Sequence, residues 1–268
     1  MNNPEAGGEF SLFMWALAAV VAVLGGHVFL GWVQQAQRRP LLINSWRAQL
    51  LAATTLGTAM TSTAVIGLAA EGLPYALGYG TVAGPVLWLG AMIGSLLIVF
   101  WLTHQPRWWA LIGSGILMAA MAGAAQGGWI WAAGFRPGVV WDRTYLLLAA
   151  LVMTVGFTAG LFVYRAERDE EGEGRRSWRV GGAVLCGLAL MIGQLLVVVA
   201  ADLVTQKGSV YRYQIPSTLL SLACSVLMPL TLSVMALDLS LRRRLRQQRR
   251  STFSPQKRRK RRHRVRTL

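Results

Sequence analysis

Seven long apolar stretches decide which architectures are open to this chain. Each has the roughly 20 mostly apolar residues that an α-helix needs to cross the hydrocarbon core of a membrane. They are filled with Leu, Ala, Val and Gly and lack the alternation of a lipid-facing barrel strand. We therefore predict an all-α, polytopic membrane protein with seven transmembrane helices. The predicted spans are approximately residues 10–33, 47–70, 81–103, 108–132, 144–165, 179–202 and 216–240.

The charge of the chain is concentrated at one end. Apolar residues make up 54% of the sequence and charged residues 14%, against about 45–50% and about 25% in ordinary soluble domains. Of the 27 Lys and Arg residues, 14 lie in residues 242–268, and without them the net charge falls from +16 to +2. We predict an integral membrane domain over residues 1–241 and a basic, disordered cytoplasmic tail over residues 242–268.

The remaining basic residues indicate the orientation. The connections after helices 1, 3 and 5 contain 3, 1 and 5 Lys or Arg residues, whereas the N-terminus and the connections after helices 2, 4 and 6 contain 0, 0, 2 and 2. Because basic residues collect on the cytoplasmic side, we predict a multi-pass protein of the bacterial inner membrane. Its N-terminus lies outside and its C-terminus in the cytoplasm. Most tryptophans lie near helix ends and predict an interfacial belt, with ligand stacking as the alternative.

Short runs of small residues recur in the even-numbered helices. They begin at Gly57, Gly113 and Gly187, which are 56 and 74 residues apart, and the longer interval contains an acidic insertion. Small residues allow helices to approach closely in lipid. Equal placement in three helices predicts three two-helix repeats followed by a final helix.

The stretch from Gly57 to Tyr79 resembles the first repeat of the bacterial MHYT family of integral membrane sensors. The family phrase there is Gly-Thr-Gly-Ile-Trp-Ser-Met-His-Phe-Ile-Gly-Met-Leu-Ala, followed by Leu-Pro and Tyr. This sequence has Gly57-Thr58-Ala59-Met60 and, further on, Gly67-Leu68-Ala69-Ala70, Leu73-Pro74 and Tyr79. The resemblance covers approximately residues 10–245. It implies the same helix repeats, a signalling role and Met-His-Tyr-Thr motifs near the outer face that hold copper or another metal.

This sequence departs from that family at the metal ligands. The family histidines correspond to Ala64, Ala120 and Gln194, and the methionines before them to Thr63, Ala119 and Gly193, with Gly67 and Gly123 as further motif positions. Alanine offers no lone pair, and the Gln amide is a poor ligand for a soft or borderline metal. We therefore expect no metal site built from the usual family ligands and no cofactor.

Two other polar residues within the spans are candidates for a role. His27 is expected to be hydrogen-bonded inside the protein or at the interface, out of reach of the motif positions, and a proton- or ligand-responsive role is the alternative. Gln126, like Gln194, is expected either to bond between helices or to line a polar ligand pocket. The methionines near the repeats are expected to fill gaps, with Cu(I) binding as the alternative.

No catalytic motif accompanies these features. The sequence lacks His-Glu-x-x-His, Gly-x-Ser-x-Gly and a Gly-x-x-x-x-Gly-Lys-Ser loop, and we predict that the protein is not an enzyme. We expect a membrane sensor or binding module without its own catalytic output domain. A small-molecule transporter and a structural membrane subunit are the alternatives.

The expected partners follow from the charge and the spans. They are the lipid bilayer, anionic lipids bound by the tail Arg242–Leu268, and a separate cytoplasmic signalling protein. Nucleic acid is a less favoured partner of the tail, because Phe253 is its only aromatic residue.

Overall fold

The computed structural model describes residues 10–37, 43–73, 78–104, 107–135, 138–169, 175–203 and 214–265, with the backbone alone at 43–44, 167–169, 175–177 and 242–265. The described residues do not include part of the acidic insertion (170–174) or the last residues of the tail (266–268). The helices are α1 (Leu12–Gln37), α2 (Ile43–Ala70), α3 (Ala83–His104), α4 (Trp108–Ala132), α5 (Arg143–Asp169), α6 (Arg175–Ala201) and α7 (Ser217–Val265).

Each of these seven helices is long and apolar enough to cross a membrane, which confirms the predicted all-α polytopic fold. The apolar part of α1 runs over Leu12–Gln37 and that of α7 over Ser217–Leu241, so the predicted limits agree to within four residues. The predicted disorder of the tail differs from the structure, in which the backbone of α7 continues as helix to Val265. Arg, Lys and Gln, which dominate this segment, are good helix formers.

The first six helices form a ring in which each packs against the next and α6 packs against α1. The even-numbered helices α2, α4 and α6 also contact one another inside the ring, whereas α7 packs mainly against α1 and α2. Burial follows the same division. The apolar windows of α2, α4 and α6 are 83%, 44% and 56% buried, and those of α1, α3, α5 and α7 are 33%, 33%, 28% and 11% buried. The structure therefore contains three successive helix pairs, the hairpins α1–α2, α3–α4 and α5–α6, each with one inner helix, and a peripheral final helix.

One backbone contact occurs at matching places in two of the repeats. The amide of Ser11, just before α1, donates to the carbonyl of Ala70 at the end of α2 (2.8 Å). The amide of Asp142, just before α5, donates to the carbonyl of Ala200 near the end of α6 (2.9 Å). The first and third hairpins are thus closed in the same way at the end that we predict to lie outside.

A short two-stranded sheet lies at this same end, and the sequence had not predicted it. Strand β1 (Gly78–Gly80) pairs antiparallel with β2 (Gln214–Pro216), with Tyr79 opposite Ile215. The sheet joins the connection between α2 and α3 to the connection between α6 and α7. It therefore fastens the start of α7 to the rest of the bundle.

Candidate functional site

Gln194 brings the third repeat into contact with the first. Its side chain is 3% exposed, and its Nε2 donates a hydrogen bond to the carbonyl of Ala64 on α2 (3.3 Å). The same amide lies over Gly67, where an added Cβ would overlap it. Two of the three positions that correspond to family histidines, Ala64 and Gln194, therefore meet. Thr63 is fully buried beside them, and its hydroxyl donates to the carbonyl of Ala59 in its own helix (2.6 Å).

The corresponding motif position of the second repeat does not meet Ala64 and Gln194, contrary to the alignment of the three repeats. Ala119 is buried, but Ala120, the position that corresponds to the second family histidine, is exposed on the outer face of α4. The inner face at this level carries Ala122 and Gln126 instead. Alanine and glycine occupy both faces of this part of α4, so alignment on small residues does not fix which face is inside.

The contact between Gln194 and Ala64, with the inner helices around it, is called the centre below. Gln126 is the polar residue by which α4 reaches this centre. It is 2% exposed, and its Nε2 donates to the carbonyl of Leu190 on α6 (3.3 Å). Leu190 lies one helical turn before Gln194, so the two hydrogen bonds involve neighbouring levels of α6. One joins α6 to α2 and the other joins α6 to α4.

Met153 on α5 fills the space between α4 and α6. A Cβ added at Gly193 would come within 2.6 Å of the Met153 sulfur, and one at Gly123 within 3.8 Å of its terminal methyl. Both motif glycines are therefore places where this methionine packs. The described part of the chain contains no group of three or more His, Cys, Asp or Glu side chains that could hold a metal ion.

His27 lies apart from this centre and beside a buried positive charge. Its Nε2 accepts a hydrogen bond from a terminal guanidinium nitrogen of Arg179 (3.1 Å), which is only 6% exposed. Arg179 lies 15 residues before Gln194 on α6, about 22 Å along a helix axis. The histidine therefore belongs to a polar contact between α1 and α6 near the predicted cytoplasmic end.

An aromatic pair covers the centre at the opposite end. Tyr79 of β1 is completely buried and packs edge-to-face against Trp129 of α4, with ring centroids 5.1 Å apart. Burial raises the pKa of the Tyr79 hydroxyl, and the nearby Cys224 thiol raises it further. Trp129 is 5% exposed and Trp32 is 1% exposed, so neither belongs to the predicted interfacial belt.

The belt prediction fits other tryptophans. Trp108 and Trp131, at opposite ends of α4, are 63% and 68% exposed, as expected for rings that lie at the membrane surface. Their neighbour Trp129 differs because it faces the bundle interior. Position near a helix end did not separate these two classes, since the inward face of α4 was not known from the sequence.

The side chains at the centre can form hydrogen bonds but carry no charge. Gln126, Gln194, Tyr79 and Trp129 are neutral, and the aliphatic and sulfur-containing neighbours around them are apolar. Such a site is suited to recognising a small uncharged molecule or to holding the helices in one arrangement.

No protein-family model, no curated protein and no solved structure matches this chain. The resemblance to MHYT sensors therefore stays a prediction. What the structure establishes is a multi-pass α-helical membrane protein of three hairpins and a peripheral final helix.

Proposed function

We propose that the protein is an integral membrane sensor or binding module with an MHYT-like arrangement of helices and without the metal ligands of that family. The observation that carries the proposal is the pair of amide contacts at the centre, Gln194 to Ala64 and Gln126 to Leu190. Each is a single hydrogen bond between two inner helices. A ligand that competes for either amide would change how α2, α4 and α6 pack.

In this proposal, a change in the packing of the inner helices is transmitted to the cytoplasmic side through α2 and α7. Helix α2 contacts α6 at the centre and α7 at the periphery. The hydroxyl of Thr55 on α2 lies 3.5 Å from the sulfur of Met235 on α7, so a shift of α2 reaches the part of α7 that leads into the basic segment. A separate cytoplasmic protein would detect this change, because the proposed module has no catalytic output domain of its own.

The proposed location is the bacterial inner membrane, with the N-terminus outside and the basic segment on the cytoplasmic side. The distribution of Lys and Arg over the connections supports this orientation. In this orientation the segment from Arg242 faces anionic lipid, which attracts basic residues by roughly 1 kcal/mol each near the surface.

The proposal is tested by measuring whether the centre controls the cytoplasmic end of α7. Spin labels on α7 near Arg244 and at His104 would report their distance in the protein reconstituted into nanodiscs. We expect Gln194→Leu to change the distance distribution. The control Ile192→Val, at an exposed position of α6 near Gln194, should leave the distribution as in the wild type. Identical distributions for all three proteins would refute the sensor proposal.

Transport is the second candidate, and one contact favours it. The Arg179–His27 pair places a buried cation on a membrane helix, as carriers often do along a substrate path. Against it, none of the seven described helices is interrupted within its membrane span, whereas many carriers bind substrates at broken helices. Flux measurements in proteoliposomes decide between the two. A structural subunit would instead co-purify with a stoichiometric partner and show no response at α7.

A further inference from the structure

Polar side chains at the predicted cytoplasmic end are bonded across helices. The Nε2 of Gln37 on α1 donates to the carbonyl of Leu102 on α3 (2.9 Å), and the hydroxyl of Tyr164 on α5 donates to the Oε1 of Gln37 (3.4 Å). This is the usual state of buried polar groups, nearly all of which have a hydrogen-bond partner.

Other buried polar atoms have no hydrogen-bond partner among the described residues, including a terminal nitrogen of Arg165 at the same end. Four of them belong to the centre and to the aromatic pair at the opposite end: the Tyr79 hydroxyl, the Trp129 Nε1, the Gln126 Oε1 and the Gln194 Oε1. All four side chains are at least 95% buried. Each amide is oriented by its Nε2, which faces a backbone carbonyl, so exchanging the oxygen and nitrogen would place two acceptors against each other.

These four side chains form one row. Gln126 and Trp129 are three residues apart and share a face of α4. The ring of Tyr79 packs against Trp129, and the Gln126 amide binds α6 one turn before Gln194. The row therefore runs from the sheet at the predicted outer end to the contact of α2 with α6. Buried hydroxyls such as Ser95 and Ser114 also lack a partner, but a helical hydroxyl can turn to a carbonyl of its own helix.

The chemistry of the row specifies what can bind there. Two amide oxygens need donors, the indole N–H needs an acceptor, and the phenol can use either. The row contains no charged group to balance an ion, and an apolar molecule would leave all four atoms unpaired. We propose that the row is a hydration site, in which ordered water molecules join Tyr79 and Trp129 to Gln126 and Gln194. Water both donates and accepts and typically makes about three hydrogen bonds inside proteins.

This inference goes beyond the proposed function and holds whether the protein is a sensor or a carrier. Leaving four such groups desolvated and unpaired would cost a large part of the stability of a protein of this size. A ligand that enters the centre would have to replace this water and reproduce its hydrogen bonds.

The first test uses water itself as the probe. The full-length protein labelled with ¹⁵N in its indoles is reconstituted into nanodiscs, and magnetisation transfer from water to each indole N–H is recorded. Trp129→Phe assigns the Trp129 signal. We expect a water cross-peak at Trp129 despite its burial, and a loss of at least half of its intensity in Gln126→Leu. An indole N–H of Trp129 without a water cross-peak in the wild type would overturn the proposal.

The second test distinguishes a hydrated hydroxyl from a dry one. Removing a dry, unpaired hydroxyl relieves a desolvation cost, so Tyr79→Phe would raise the melting temperature. In a hydrated row the substitution removes a hydrogen bond to water, and we expect the melting temperature to fall. Tyr145→Phe, at an exposed tyrosine, is the matched control and should leave it unchanged. A higher melting temperature for Tyr79→Phe would contradict the hydration site, and the wild-type water signal decides the case if that variant does not fold.

Discussion

At the scale of single residues, a glycine and an amide occupy the positions where the sequence resemblance places a metal motif. Gln194 reaches the carbonyl of Ala64 only because Gly67 leaves room for its side chain. The Gln amide therefore joins two inner helices at this place by one hydrogen bond.

Gly67→Ala tests this dependence. The added Cβ would overlap the Gln194 amide. Because that amide is the end of a flexible side chain, it can turn away and lose its bond. We expect a destabilisation of about 1 kcal/mol, the net value of a typical hydrogen bond, measured by thermal unfolding in nanodiscs. In Gln194→Ala the same glycine substitution should cost much less, and additive effects in this double-mutant cycle would contradict the coupling.

Glu71 offers a second prediction at this scale. It follows α2 directly and is half-buried, and burial raises the pKa of its carboxyl group. The folded state therefore holds this proton more tightly than the unfolded state. Stability is favoured at low pH and declines as the pH rises above the ordinary glutamate pKa of about 4.3.

We expect Glu71→Gln to remove this decline and to raise the melting temperature at neutral pH. Melting curves of both proteins between pH 4 and pH 8 provide the measurement. Parallel pH profiles for the wild type and the variant would contradict a role for Glu71.

At the scale of helices, packing both between and within the hairpins depends on close backbone contact. A Cβ at Gly57 on α2 would come within 2.9 Å of the carbonyl of Ala91 on α3, and one at Gly160 on α5 within 2.8 Å of the carbonyl of Gly182 on α6. Unlike the side chain over Gly67, these neighbours are backbone and cannot turn away. Gly57, from the first small-residue run of the sequence, and Gly160 thus act chiefly on the distance between helices.

The paired substitutions Gly57→Ala and Gly90→Ala measure this effect. Gly57→Ala forces α2 and α3 apart, and we expect a loss of about 1–3 kcal/mol, typical of overpacking. Gly90 on α3 has nothing within 4 Å of an added Cβ, so Gly90→Ala should be neutral or stabilise by up to about 1 kcal/mol through helix propensity. Unfolding in detergent mixtures gives both values, and equal losses would show that steric contact is not the cause.

At the scale of the whole molecule, the orientation across the membrane determines which end can receive a signal. The basic segment follows α7, and the predicted outer end carries the two-stranded sheet and the Tyr79–Trp129 pair. If the orientation is as proposed, a solute from outside meets the aromatic pair first, and the basic helix contacts the cytoplasmic face of the bilayer.

Fusions to the C-terminus test the orientation. Green fluorescent protein fused after Leu268 should fluoresce, because it folds in the cytoplasm, whereas alkaline phosphatase at the same place should be inactive. The reverse result would contradict the proposed orientation. Alkaline phosphatase inserted at Gly138, between α4 and α5, is the matched control and should be active.

The sequence predicted the helices better than it predicted their faces. Length and hydropathy located all seven spans, because the thickness of the membrane leaves few alternatives. The exposed position of Ala120 and the inward position of Trp129 depend on how α4 is rotated, and neither residue type decides this. The three-residue strand at Tyr79 is too short for a periodicity signal. Burial of Arg179 was missed because basic residues near helix ends are ordinarily solvated.

The sheet has a mechanical consequence for α7. Strand β2 ends at Pro216 and α7 begins at Ser217, so the strand pairing acts as a fulcrum at one end of a 49-residue helix. Such a helix is about 74 Å long at 1.5 Å per residue. A rotation of about 5° around the fulcrum would displace its far end by about 6 Å if the helix stays straight. Under the proposed function, small changes in the packing of α1 and α2 would therefore produce larger movements of the basic segment at the far end of α7.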